Sequence, residues 1–406
     1  MKNPKYSIVY PTRNRPDLLR ECIRSILLQE VSDWELIISD NHTEKSAYQI
    51  YSEFMQDTRI KYFWTGGMLS MADNFTFGLS KTTGDFVTVL TDKTTLIPTC
   101  LKICDSLLTL NDYDLINWSE AHFYPNRNQD ISKSEGILRI VYHTDQIMEY
   151  TPKDEINYLL KFEKHRSHDM EHYFRGKILF GVVRRKLIED LVNKNEFFLK
   201  YAPDYTTRMI ILSRTNKAIE VTSPLQCAFI SGDSNGMLCA KYPDKAFAFF
   251  NESDNFQNVN EYFPIKGLYT SQQNHVAGDY IYSLTKLNTN YNINYVNLYR
   301  TIYFDLLKVK WNHKEVKNNQ FSIFYNSLKH FNNIFKIQFY LLSLPVAYFL
   351  YIRYKINQIR TSIYRLTKNP IIRSFLKYNE IETQFNNIQE ANKYLASEMV
   401  HVVQNY

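Results

Sequence analysis

Short apolar blocks alternate with helical stripes through the first hundred residues. Tyr6-Ser7-Ile8-Val9-Tyr10 fits a buried parallel strand, and Pro11-Thr12-Arg13-Asn14-Arg15 breaks it. Pro16 and Asp17 suit a helix start, because proline tolerates the first turn and an acid complements the helix dipole. Leu18, Leu19, Cys22, Ile23, Ile26 and Leu27 then form one apolar stripe. Trp34 to Ser39, Ile60 to Trp64 and Phe86 to Leu90 read as three more strands, with a helix over Ala72 to Leu79. Alternating β and α signals with buried strands predict an α/β fold: a mostly parallel central sheet with helices on both faces. Farther on, Leu179 to Val192 reads as a helix and Ala218 to Val221 as a strand. Helical signals dominate from about residue 240. The expected division is a main domain over 1–235, a helical extension over 236–315 and a basic amphipathic helical segment over 316–406.

The last segment has its own pattern. Phe335 to Ile352 is strongly apolar, but Lys336, Gln338 and Pro345 interrupt it, so it is less clean than a membrane-spanning helix. Ile352, Ile356, Ile359, Ile363 and Leu366 repeat at steps of four and three, interleaved with Arg353, Lys355 and Arg360. Such a basic amphipathic helix suits an anionic membrane surface, or equally a helix packed on its own domain or on a partner protomer. The net charge is +6, and no acid occurs between Glu315 and Glu380, a stretch carrying ten lysines and arginines. The basic character therefore belongs to this segment, and the remainder is net negative. Long aliphatic runs and the lack of a nucleic-acid motif argue against nucleic-acid binding.

The five cysteines, Cys22, Cys100, Cys104, Cys227 and Cys239, are odd in number and form no CxxC pair, which fits a reduced, cytoplasmic protein. Met1-Lys2-Asn3-Pro4-Lys5 leads into the first strand without an apolar segment, so no signal peptide is expected there. Cys100 and Cys104 share a helix face, where apolar packing is the simplest role. His165, His168 and His172 are spaced as metal ligands can be, but their charged surroundings read as a solvated face.

Ligands of open α/β sheets bind beyond the carboxyl ends of the strands. That rule selects Pro11 to Arg15, Asp40 to Thr43 and Thr91 to Thr94, each polar and each following an apolar run. No GxGxxG or GxxxxGK[ST] is present, so dinucleotide and P-loop sites are not supported.

Tyr6 to Arg15, then a helix, then Ile37-Ile38-Ser39-Asp40-Asn41, resembles the opening of family 2 glycosyltransferases. Leu69 to Asn74, Gly84-Asp85-Phe86-Val87 and Leu90-Thr91-Asp92 are similar to the approach to that family's DxD motif. Ala202-Pro203-Asp204-Tyr205, followed by Arg208 and Met209, resembles the segment holding its catalytic carboxylate. The resemblance implies a GT-A-like nucleotide-sugar-binding domain, inversion at the anomeric carbon and a UDP- or dTDP-linked donor. By analogy the acceptor is a glycan or lipid-linked glycan of a bacterial surface polysaccharide, met in the cytoplasm or peripherally on the inner face of the membrane.

Under that resemblance Asp40 accepts a hydrogen bond from the pyrimidine, or else merely closes a turn. Pro11, Thr12 and Arg13 line the nucleotide pocket, with Arg13 alternatively a surface cation. Asp73 and Asn74 open a helix, as caps first and as donor contacts second. Asp92 acts at the diphosphate. The family's acidic cluster is reduced here to Thr91-Asp92-Lys93-Thr94-Thr95. One carboxylate is a poor anchor for Mg or Mn, and Lys93 can itself neutralise the leaving diphosphate. A catalytically degenerate nucleotide-sugar or glycan binder is the competing reading. Asp204 is the expected general base, a role compatible with capping the helix that follows.

Overall fold

The computed structural model describes residues 3–126, 135–140, 146–165, 171–198, 203–230, 242–252, 260–366 and 381–404. Two compact units emerge: Met1–Ile156 with Met170–Ser231 and Ile381–Tyr406, and Asn157–Asp169 with Gly232–Glu380. This differs from the three consecutive segments expected above: the last residues return to the first unit, because they supply it with a strand and a helix.

The first unit opens with β1 (Tyr6–Thr12), α1 (Pro16–Leu27), β2 (Trp34–Asp40), α2 (Tyr48–Ser52), β3 (Ile60–Trp64), α3 (Met71–Leu79) and β4 (Phe86–Val89). β5 (Thr94–Leu96), α4 (Cys100–Leu110), β6 (Leu115–Pro125), β7 (Gly136–Ile140), β8 (Ile147–Tyr150) and α5 (Pro152–Lys161), which belongs to this unit only as far as Ile156, follow. The series continues with β9 (Gly181–Arg184), α6 (Glu189–Asn193), α7 (Pro203–Arg214) and β10 (Ala218–Phe229), and closes with β11 (Ile381–Phe385) and the helix Ile388–Gln404.

The sheet runs β11-β7-β6-β9-β4-β1-β2-β3, with β10 pairing β5, β6 and β8. β3, β2, β1 and β4 are mutually parallel, as are β6 and β10, while β9, β7, β8, β5 and β11 join antiparallel. β1 and β2 are buried along their whole length, which is why both read as unbroken apolar runs.

In α1, Leu19, Cys22, Ile23 and Ile26 are buried as the stripe requires. Leu18 is half-buried and Leu27 is exposed, because a straight helix rotates the ends of the stripe away from the sheet. Cys100 and Cys104 are buried in the core. On the other face α3 comes close to the sheet at Gly78, where a Cβ would stand 2.5 Å from Val9 Cγ1. Thr95 and Asn392, far apart in sequence, exchange a buried side-chain hydrogen bond at 3.0 Å.

The helix expected over Leu179 to Val192 is corrected. Gly181–Arg184 is strand β9, between β4 and β6, and only Glu189–Asn193 is α-helical. Val182 and Val183 are β-branched, and a Cβ at position 181 would lie 2.3 Å from the Ile116 carbonyl, so the sheet selects glycine there.

The second unit is helical, as expected of the extension, and its principal helices are Gln272–Lys286, Tyr295–Lys308, Lys314–Ser327 and Leu344–Leu366. Tyr299, Phe324 and Phe339 are buried at its core. Asp305 is its buried polar hub, accepting from Ser271 Oγ at 3.0 Å and the Gln273 backbone at 2.9 Å, with His165 Nε2 at 2.8 Å and Lys308 Nζ at 3.2 Å.

Candidate functional site

β1 and β2 end side by side, with Thr12 paired in register to Asp40, and β4 lies on the other side of β1. Past β4 the chain turns, and Thr94 N donates to the Thr91 carbonyl at 2.9 Å. That turn presents Asp92 to the end of β1, where Thr12 Oγ1 donates to Asp92 Oδ2 at 2.9 Å. Arg15 Nη1 stands 3.9 Å from Asp92 Oδ1. Burial pushes the Asp92 carboxyl above its usual range, opposed by Arg15, the Thr12 hydroxyl and Lys93.

Asp40 is fully buried, and its two oxygens are treated very differently. Oδ2 accepts from Ala47 N at 2.8 Å, Tyr62 Oη at 2.7 Å and Ser46 Oγ at 3.1 Å, and lies 2.9 Å from His42 Nδ1. Oδ1 is buried with no partner among the described residues. An unmatched buried carboxylate oxygen is costly, and a ligand N–H would satisfy it. Burial pushes the Tyr62 phenol up to about 12, so it stays a donor. His42 stacks on the half-exposed Trp64, with ring centroids 5.7 Å apart, beside this carboxylate.

Asn14 ties the two strand-end loops together. It adopts φ 58°, a left-handed conformation that asparagine tolerates. Its side-chain Oδ1 accepts from the backbone N–H groups of Thr43, Glu44 and Lys45 at 3.0, 3.0 and 3.1 Å. The loop that feeds Ser46 and Ala47 to Asp40 is thereby anchored to the loop that carries Arg13 and Arg15.

The structure brings Pro11, Thr12, Arg13, Asp40, Asp92 and Lys93 to these adjoining strand ends. Pro11 is buried within β1, Arg13 is exposed with its backbone N–H on Asp92, and Lys93 is half-buried. Asn74 is buried, with its Oδ1 2.5 Å from Ser39 Oγ and its Nδ2 3.5 Å from the Thr12 carbonyl, which locks α3 to β1 and β2. The cap of α3 is Ser70 rather than Asp73 or Asn74: its hydroxyl accepts from Asp73 N at 3.1 Å. The helix starts at Met71, one residue earlier than the apolar pattern alone indicates, because the Ser70 hydroxyl satisfies a first-turn N–H.

Asp204 belongs to a second group. It opens α7 with its side chain 27% exposed, and Lys177 Nζ lies 3.9 Å from its Oδ2. Lys177 is fully buried, with its ammonium 3.5 Å from the Tyr173 ring centroid and 4.2 Å from that of Tyr205. Behind it sits an ionic cluster. Arg175 Nε donates to Glu220 at 2.7 Å and its Nη1 to Glu155 at 3.1 Å. Arg208, one turn after Asp204, donates to Glu155 at 3.2 Å and to the Arg175 carbonyl at 2.7 Å. Burial raises Glu220 despite Arg175, whereas His172, Arg208 and Arg175 together overcome burial and hold Glu155 below the usual range.

The solvated histidine face is corrected. His165 is 3% exposed on Asp305, and His172 Nδ1 lies 2.7 Å from Glu155, because each has a buried carboxylate to meet. His168 and Cys239 lie outside the described residues. No group of three or more metal-ligating side chains is present among the described residues. Asp92 alone, with Arg15 and Lys93 beside it, does not fit a divalent ion held by the protein. Arg15 and His42 lie inside the strand-end stretches selected from the sequence but were given no role there, whereas Tyr62 lies within a strand and nothing local marks Lys177.

Residues 7–163 match the family model described as Glycosyl transferase family 2. Over 101 residues the chain is 35% identical to the GalNAc(5)-diNAcBac-PP-undecaprenol beta-1,3-glucosyltransferase of Campylobacter jejuni, covering 24% of this chain and 33% of that protein. Over 199 residues it is 23% identical to protein CgeD of Bacillus subtilis, covering 43% and 45%. The chain thus spans less than half the length of these curated relatives. Among solved structures, S. aureus TarS 1-349 in complex with UDP-GlcNAc aligns over 99% of this chain and 91% of that one, with 14% identity and a TM-score of 0.43.

Proposed function

Since residues 7–163 carry a glycosyl transferase family 2 domain with a GT-A-like α/β fold, we propose that the chain transfers a sugar from a UDP- or dTDP-linked donor to a glycan or lipid-linked glycan. The observation that carries the donor assignment is the divided carboxylate of Asp40. Oδ2 is saturated within the protein, and only Oδ1 is left to accept. Uracil and thymine offer a single ring N–H flanked by acceptors, which matches one open oxygen. Guanine offers adjacent N–H donors that would need both.

Transfer follows from the remaining groups. The acceptor oxygen attacks the anomeric carbon, its proton passes to Asp204, and the bond from that carbon to the diphosphate breaks with its electron pair on the leaving nucleoside diphosphate. Attack opposite the leaving group inverts the configuration. Lys93 and Arg15 supply positive charge beside Asp92 to the departing diphosphate. No step is routed through a metal. Calorimetric titration with UDP, dTDP and GDP tests the reading: binding of UDP or dTDP at least tenfold tighter than GDP is expected, and preference for GDP would refute it.

The replacement of the acidic cluster by Asp92-Lys93 supports a second reading, a binder without turnover. Tight nucleotide binding with no hydrolysis or transfer across a panel of UDP- and dTDP-sugars would favour it.

A further inference from the structure

The outer face of the helix Leu344–Leu366 carries a row of isoleucines that no described residue of its unit covers. Ile352, Ile356 and Ile359 are 57%, 57% and 60% exposed, and Ile363 continues the row. The helical turns before this helix add Ile334, Ile337 and Leu341, and Phe349 lies within it, all exposed. The opposite face is occupied. Phe335, Phe339, Ser343 and Ala347 are buried, Tyr348 Oη lies 2.7 Å from Tyr303 Oη, and the Tyr354 ring packs edge-on against Phe304. The rod therefore has one face committed to its unit and one apolar face open.

Charge identifies what the open face meets. The isoleucines recur at steps of four and three, the spacing of a coiled-coil seam, so a second copy of the chain is the obvious rival. The flanking positions are Arg353, Lys355 and Arg360. In a parallel pair Lys355 would face Arg360 of the other copy, and in an antiparallel pair each would face its own kind. Both arrangements set like charges together, which disfavours self-pairing. On a bilayer the same residues flank the buried stripe and reach up to the headgroups. No acid occurs between Glu315 and Glu380 to weaken that attraction. The stretch Asn333–Tyr364 contains an 18-residue window with a mean hydropathy of 1.4, and it is long and apolar enough to cross a membrane. Its committed face, however, rests on the helix Tyr295–Lys308, which carries Arg300, Asp305 and Lys308 and does not suit a lipid interior.

We propose that this face lies in the plane of an anionic membrane, with Ile352, Ile356, Ile359 and Ile363 among the acyl chains and Arg353 and Lys355 at the headgroups. The surface requires nothing of the donor site, so the two readings stand or fall separately.

The test is flotation of the full chain with vesicles of phosphatidylcholine alone or mixed with phosphatidylglycerol. Binding to the mixed vesicles should be about tenfold stronger or more, and should weaken with salt. The triple variant Ile352→Glu/Ile356→Glu/Ile359→Glu changes only exposed side chains, and its fold is checked by circular dichroism. It should lose at least tenfold in binding, and Arg353→Gln/Lys355→Gln should lose the preference for phosphatidylglycerol. Equal flotation of wild type and triple variant would overturn the proposal, as would absence of binding to either vesicle. Retention in reconstituted vesicles after alkaline carbonate would overturn the in-plane placement in favour of a span. A dimer in sedimentation that the triple variant dissolves, without vesicle binding, would assign the face to self-association instead.

Discussion

Lys177 holds its ammonium nitrogen 3.9 Å from Oδ2 of Asp204, inside a box formed by the rings of Tyr173, Phe180 and Tyr205. A buried cation beside the carboxylate keeps it oriented at the start of α7, where the proposed proton transfer needs it. Asp204→Asn keeps the shape, and Asp204 lies inside the first turn of α7 and not at its cap, so fold and UDP affinity should survive. Turnover should fall roughly 10²–10⁴-fold, the usual worth of a positioned base. Near-wild-type transfer by the purified variant would send the search to another carboxylate. Lys177→Met fills the same aromatic box without charge, and should lower kcat while leaving the UDP Kd within about twofold.

Asp40→Ala removes the one open oxygen and also the acceptor for four groups around it. UDP affinity is expected to drop by about ten- to a hundredfold, corresponding to about 1–3 kcal/mol for a lost buried hydrogen bond. Calorimetry on a variant whose melting temperature is first shown to be near wild type reads this directly. Unchanged UDP affinity would detach Asp40 from the donor.

Acid should unfold the helical unit through Asp305. Burial alone would raise this carboxyl, but Lys308, His165 and the Gln273 backbone overcome it and hold it well below the usual range. A depressed folded value means that its stabilisation is fully present above the unfolded value of about 4 and is lost as pH falls toward the folded one. Asp305→Asn should therefore cost about 3–5 kcal/mol at neutral pH, since it strands His165 and Lys308. The difference from wild type should narrow by about 1.4 kcal/mol per pH unit below about pH 4. Urea midpoints taken from neutral pH to about pH 3 give the comparison, and a pH-independent difference would contradict the linkage.

Gly78 sets how closely α3 approaches the sheet. A Cβ there meets Val9 Cγ1 at 2.5 Å and Ser39 Cβ at 3.2 Å. Gly78→Val should destabilise by about 1–3 kcal/mol through overpacking, and should weaken UDP binding as well, because α3 also anchors Asn74 to Thr12 and Ser39. Thermal melts with and without UDP would register both effects.

The parallel half of the sheet was legible because β1, β2 and β4 are buried apolar runs, and their ends marked Thr12, Asp40 and Asp92. β9 was not, since two valines and an arginine after a glycine leave no period to read, and its strand pairing is set by β4 and β6. The donors on Asp40 come from three separate places, His42, the Ser46-Ala47 turn and Tyr62 on β3, so only folding reveals which oxygen stays open. The histidines misled for the opposite reason. Their charged neighbourhood suggested water, and Glu163, Lys164 and Glu171 are indeed exposed, but His165 and His172 meet buried carboxylates as distant in sequence as Asp305.

The hydrogen bond between Thr95 and Asn392 spans 297 residues, and it gives the first unit an unusual order of assembly. Most of its strands leave the ribosome early, but β7 waits for β11, and the helix that brings Asn392 to Thr95 is made later still. Meanwhile the helical unit between them has already been synthesised. Closing so long a loop is slow, and until it closes β7 offers an unpaired edge to any other chain. Shortened versions ending between 316 and 380 would carry that exposed edge permanently. They would be prone to aggregate for a reason unrelated to the helix they were cut to remove.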